Sequence, residues 1–215
     1  MKDCAQTVTG FVGLGLGALV SLAMPTAAQI VPERIARGIS RIQRFNGNTE
    51  RPFSIAAHCL LVRGIVARRT GGTAPLLEKA ALLHDAHEAI IGDIVLPLKE
   101  YLGRDRIAAI EAPLDIAIGE RFGIDPELFK HPVVKAADIE AVYTEALVIG
   151  ADFVEPELRR WVPPDFVPDP LAMREIRELL VVIEGRPQQQ AAAIIAGEWV
   201  FAIAACDADL QREAA

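Results

Sequence analysis

Apolar residues recur at helical spacing along most of the chain, and alternation of the kind a half-buried strand needs is nearly absent. Ile35, Ile39 and Ile42, with Pro32 suited to a first helical turn, predict a helix over 32–45. Turn chemistry follows at Arg44-Phe45-Asn46-Gly47-Asn48-Thr49. A second helix is predicted over 53–69, carrying Ile55, Leu61, Ile65 and Val66 and closed by Gly71-Gly72. The segment 74–91 (APLLEKAALLHDAHEAII) is apolar on nearly every side until its last turns and reads as one helix at the buried centre. Gly92-Asp93 breaks it. Further helices are predicted over 104–122, 131–149, 170–184 and 187–208, the first two ended by Gly123 and Gly150. Pro156, Pro163, Pro164, Pro168 and Pro170 mark a long irregular connection between them. The pattern predicts an all-α bundle of about seven or eight helices.

Residues 8–24 (VTGFVGLGLGALVSLAM) form the most apolar run. Lys2 and the small residues Thr26 and Ala28 give it the outline of a secretory signal, but Asp3 cancels the single positive charge. Gly10, Gly13, Gly15 and Gly17 also weaken it as a helix. The reading adopted is a glycine-rich, partly extended segment (1–30) packed on a domain that spans 31–208.

The 215 residues suit one domain, and 52% hydrophobic content supplies its core. Lys and Arg number 22 against 29 Asp and Glu, for a net charge of −7, which argues against a face for duplex nucleic acid. Cys4, Cys59 and Cys206 are too few and too scattered for a disulfide framework or thiol chemistry.

The chemistry gathers around histidine. His84-Asp85 follows Ala80-Ala81-Leu82-Leu83, and burying such a pair is costly unless something neutralises it. A divalent cation would do so, since imidazole and carboxylate are suitable ligands. His58, on the apolar helix SIAAHCLLV, and Asp138, in VKAADIEAV, are isolated polar groups in similar surroundings. Taken singly, His58 reads as a satisfied core histidine, Asp138 as a helix-surface acid and His84-Asp85 as a hydrogen-bonded helix end. The order His, His-Asp, Asp on successive helices is more specific than any member. Glu88, four residues after His84, shares its helix face and so reaches the same pocket.

His58, His84-Asp85 and Asp138 resemble the H…HD…D pattern of the HD-domain metal-dependent phosphohydrolases. RFNGNTERPFSIAAHCLLV and ALLHDAHEAIIGDIVLPLK resemble the branch that holds bacterial 5′-deoxynucleotidases and the small phage dNTP phosphohydrolases. The likeness covers roughly residues 30–150. It implies an all-α HD domain, a cytoplasmic homodimer or higher homo-oligomer with no membrane association, and a nucleotide substrate. It further implies one divalent metal held by His58, His84, Asp85 and Asp138, with a second Mg²⁺ on the substrate phosphates. Ligand type alone leaves Mn, Co, Zn, Fe and Mg open for the first.

The resemblance also implies roles around the metal. Glu88 positions or deprotonates the attacking water, and Asp93 lies near the scissile phosphate, where it serves as acid for the leaving oxygen or only caps the next turn. Lys99 and Lys135 occupy phosphate-binding positions of phage-type members, and Arg44-Phe45 matches an arginine-aromatic pair that contacts phosphate or sugar and shapes the base pocket. Phe45 as plain core remains open. Ala57 and Cys59 depart from the Glu or Gln and the Ser that often flank the first histidine. His87 reads as a neighbour of the site or a surface group, and His131 as the start of its helix. Three activities follow: a 5′-deoxynucleotidase, first in order; a dNTP phosphohydrolase or triphosphohydrolase; or a catalytically silent nucleotide-binding module.

Overall fold

A computed structural model describes residues 10–15, 17–150 and 165–214. Cys4, the start of the apolar run and Pro156, Pro163 and Pro164 lie outside them. The chain is mostly helical, with one small hairpin. Strand β1 (Phe11–Gly15) pairs antiparallel with β2 (Ala18–Ser21), setting Val12 opposite Val20. This corrects the near-absence of strands: side chains in β1 alternate between exposed and half-buried, a period of two that the intervening glycines hide. Val20 is buried, and the hairpin leans on helices α1 (Pro32–Ile39) and α4 (Glu88–Ile91).

Two helices form the centre, α2 (Ile55–Thr70) and α3 (Pro75–Leu83). Ser54 caps α2, its Oγ accepting from the Ala57 amide at 3.3 Å, and Gly71 ends it at φ 63°. Around this pair lie α5 (Leu96–Leu102), α6 (Arg104–Phe122), α7 (Pro132–Ile149), α8 (Pro170–Glu184) and α9 (Gln188–Glu213). By length and composition α9 could cross a membrane. Here it packs on α1, α2, α3 and α8 and buries Ile195, Trp199 and Cys206, as a core helix does.

Several helix limits differ from the sequence reading: α5 was not expected, and α9 runs to Glu213 rather than 208. Helix α1 stops at Ile39 rather than residue 45, because the next backbone groups pair with the chain entering α2. Arg44 N donates to Phe53 O at 2.8 Å, and Ile55 N donates to Ile42 O at 3.0 Å. The segment 74–91 is likewise two helices. After Leu83 the amides turn to three-residue closures, Ala86 N to Leu83 O at 3.0 Å and Glu88 N to Asp85 O at 3.0 Å. The freed carbonyls find side chains: His84 Nδ1 donates to Ala81 O at 2.8 Å, and the buried Trp199 indole donates to Leu82 O at 2.8 Å. Helix α9 thus holds open the turn that carries His84 and Asp85. Gly38 lets α1 approach α4 here, since a Cβ on it would meet the Ala89 Cβ at 2.9 Å.

Candidate metal centre

Three elements bring four side chains to one corner: α2 supplies His58, the turn after α3 supplies His84 and Asp85, and α7 supplies Asp138. His58 Nε2 lies 3.2 Å from Asp138 Oδ1 and 3.6 Å from Asp85 Oδ2. His84 Nε2 lies 3.3 Å from Asp85 Oδ2 and 3.8 Å from Asp138 Oδ1. Ligand atoms about 2.1 Å from one divalent ion, at angles between octahedral and tetrahedral, stand about 3.0–3.4 Å apart. Two of the four separations fall in that range, the other two lie a few tenths of an ångström beyond it, and ligand atoms of His58, His84 and Asp138 stand within 4.8 Å of one another.

Both Nε2 atoms are buried and have no hydrogen-bond partner among the described residues. Their opposite nitrogens are occupied: His84 Nδ1 by Ala81 O, and His58 Nδ1 by Glu145 Oε1 at 2.6 Å. Each ring is thereby turned so that Nε2 presents its lone pair inward, the arrangement of a metal-ligating histidine. The imidazoles are sealed, while the Asp85 and Asp138 side chains are 19% and 23% exposed, so the corner opens on its carboxylate side. These residues fit one divalent cation.

Electrostatics say the same. Burial opposes charge on His84, yet Asp85 and Asp138 hold its pKa well above the ordinary value. Burial and Arg44 oppose charge on His58, and Glu145 and Asp138 outweigh them. Asp85 and Asp138 sit below the usual carboxylate range despite burial, through the two imidazoles. Among protein groups alone, protons on the imidazoles supply the positive charge that the two acids require.

Glu145 was not foreseen. It is fully buried on α7, seven residues after Asp138 and so on the same helix face, and it joins His58 to Arg44, whose Nε donates to Oε2 at 3.2 Å. An acid among Ala141, Thr144 and Ala146, at that spacing from a ligand, was the available signal. Burial disfavours charge on Arg44, but Glu145, Asp85, Asp93 and Glu88 raise its pKa above the usual value. Its guanidinium lies 5.5 Å from the Phe45 ring. Phe45 and Asn46 adopt left-handed φ of 53° and 54°, strained for residues with a Cβ. Phe45 packs against the core, as the plainer of its two sequence readings has it.

Glu88 is buried, with Oε2 unpartnered among the described residues. It reaches this corner from α4 rather than along a continuous face with His84, because the helix breaks between them. Burial, Asp85 and Asp93 push its carboxyl up to about 9. Asp93 is raised too, by burial first and against the lowering effect of Arg44. Lys99 sits on α5 with Nζ 2.8 Å from Glu111 of α6; burial works against its charge, while Glu111, Glu88 and Asp85 favour it. Lys135 lies exposed on α7, one turn before Asp138, and no hydrogen bond or ion pair anchors it among the described residues. His131 caps α7, accepting from Val133 N at 3.3 Å. His87 is buried rather than superficial, with Nδ1 2.9 Å from Asp115 Oδ1. Cys59 is buried beside His84, and burial pushes its thiol up.

No family model matches the chain. An uncharacterized protein of Rhodobacter capsulatus, RCAP_rcc00048, is 34% identical over 181 residues, which is 82% of this chain and 88% of the relative. YfdR, an uncharacterized protein of Escherichia coli, is 33% identical over 123 residues, covering 57% of this chain and 63% of YfdR.

Proposed function

This chain belongs to the family of RCAP_rcc00048, and we propose that it is a metal-dependent phosphohydrolase with an HD domain, acting as a 5′-deoxynucleotidase on deoxynucleoside monophosphates. One observation carries the reading. Two sealed, unpartnered imidazole nitrogens face two half-open carboxylates at the spacing of ligands around one cation, with an arginine and a buried glutamate beside them.

His58, His84, Asp85 and Asp138 would hold the ion. When bound, it supplies Lewis acidity toward water and a phosphoryl oxygen, and its charge offsets the repulsion that raises Glu88. Glu88 accepts the proton of the attacking water through its free Oε2. Arg44, fixed by Glu145, presents its remaining N–H groups to the phosphate oxygens. Asp93, which burial keeps protonated to higher pH than an ordinary carboxyl, donates to the leaving 5′ oxygen. Lys99 adds positive charge at the rim, and Phe45 shapes one side of the nucleoside position.

The test is a panel of nucleotides offered to the purified protein with Mn²⁺, Co²⁺ or Mg²⁺, with products separated by chromatography. Phosphate and deoxynucleoside from dAMP are expected. Triphosphate or successive phosphates from dATP, with dAMP untouched, would replace this activity by the dNTP phosphohydrolase one. No turnover of any phosphate ester by a metal-replete sample would refute hydrolysis and leave a silent binding module.

A further inference from the structure

Helix α6 turns two acids toward the turn that carries Asp85 and Glu88. Glu111 and Asp115 stand four residues apart, on one side of that helix. Asp115 is buried, with Oδ1 2.9 Å from His87 Nδ1. Glu111 is half-buried, and its Oε1 accepts from Lys99 Nζ at 2.8 Å. The same oxygen stands 3.7 Å from His87 Nε2, beyond hydrogen-bonding distance. Helix α5 begins three residues after Asp93, so Lys99 arrives beside the metal corner already held by an acid of the next helix. Its charge is felt at the corner. Burial and neighbouring acids raise Glu88 and Asp93, and Lys99 works against the rise in both.

This pairing limits what the site can accept. A monophosphate brings a charge of about −2, which one divalent ion and Arg44 can face. The tail of a triphosphate brings further charge and needs further cations. Lys99 would be the cation on this side, but Glu111 takes one of its ammonium donors and offsets its charge. Glu111 also sets a carboxylate beside the place the tail would occupy, with Asp115 behind it on the same helix face. A placed like charge is a direct way to refuse a ligand that differs from the accepted one mainly in charge.

We propose that Glu111 is a specificity residue: by holding Lys99 and placing an acid beside it, Glu111 confines the site to one phosphate and turns away the β- and γ-phosphates of a dNTP. The position of those phosphates rests on the phosphohydrolase reading. Glu111 touches no reacting atom and acts through Lys99, so it is a positioning residue.

The experiment offers dAMP and dATP to the full-length protein with Mn²⁺, unaltered and as Glu111→Gln, which keeps the shape of the side chain. The unaltered protein is expected to favour dAMP. In Glu111→Gln the ratio of kcat/KM for dATP to that for dAMP is expected to rise by about 10–100-fold, carried by a lower KM for dATP. A merely structural role would move both substrates alike. Adding Lys99→Met is expected to abolish the gain, because the freed ammonium is what receives the tail. An unchanged ratio in Glu111→Gln, or a gain that survives the loss of Lys99, would overturn the proposal and leave hydrolysis of dAMP standing. Equal turnover of dATP and dAMP by the unaltered protein would overturn it as well. Should neither nucleotide be turned over, the phosphohydrolase reading falls by itself, and calorimetric affinities of the same proteins for dAMP and dATP decide the proposal: a ratio shifted toward dATP in Glu111→Gln sustains it, and an unchanged one ends it.

Discussion

Helix α3 buries charge at both of its ends, and the two ends treat it differently. In its first turns Glu78 and Lys79 are buried and fully paired: Glu78 meets Arg63 at 2.9 Å, and Lys79 reaches both Phe122 O and Asp207. At its far end His84 is buried with a ring nitrogen left unpartnered, beside the half-buried Asp85. Burial of a polar group is therefore not what marks a site, since the protein satisfies such groups where they serve only the fold. Unpartnered buried atoms also occur on Gln43, Arg68 and Glu175, so what marks the corner is that two such ring nitrogens converge with two carboxylates. The same contrast separates Lys99, held by Glu111, from the Nε2 atoms of His58 and His84.

The contrast can be broken most severely at the unsatisfied end. Asp138→Ala removes a ligand that no neighbour replaces, and elemental analysis should find the metal lost together with hydrolysis. Glu88→Gln leaves all four metal ligands intact, so the metal should remain while turnover falls by about 10²–10⁴-fold, as removal of a general base does. Near-normal turnover in that variant would remove Glu88 from the chemistry. Glu145→Gln keeps the shape of the carboxylate but weakens the bond that orients His58; metal affinity should fall by about 10–100-fold. Because Glu145 also holds Arg44, KM for the nucleotide should rise in the same variant.

At the satisfied end the expectation reverses. Lys79→Met leaves the Phe122 carbonyl without its buried donor and should cost about 1–3 kcal/mol in denaturant unfolding. Metal content should not change. Loss of metal in Lys79→Met would mean that the two ends of α3 are not independent.

The mildest test is pH. His58 and His84 have raised pKa values, so among protein groups alone they hold protons above the ordinary imidazole range. A divalent ion needs both rings neutral, so binding must expel those protons and must weaken as pH falls. Calorimetry in buffers of different ionisation enthalpy should show proton release near neutral pH, diminishing as pH rises through the raised values. Binding without proton release would contradict the electrostatic account of the corner.

The helices from α6 onward could be read from their capping residues. Gly123 and Gly150 end α6 and α7 in the left-handed conformation, and Pro132 opens α7, because these are local backbone preferences. The four ligand candidates were legible for a related reason. A histidine in SIAAHCLLV or an acid in VKAADIEAV conflicts with its apolar neighbours, and that conflict is visible without coordinates. Glu145 conflicts as much but was passed over, as its role depends on facing His58 across a helix pair. For His87 two readings stood, neighbour of the site or surface group, and only tertiary contact separates them: it is buried against Asp115, which lies on α6 more than twenty residues away.

The sequence by itself determined a helical chain, most of its helix limits and which polar residues could not sit comfortably in a core, since propensity and hydrophobic patterning act over a few residues at a time. Only the tertiary structure decided that the helix through 74–91 breaks at Leu83, because a carbonyl is released there to an indole 117 residues away on α9. It also decided which ring nitrogens are left without partners. Pairing of buried groups is a property of neighbours in space, and the chain order does not contain it.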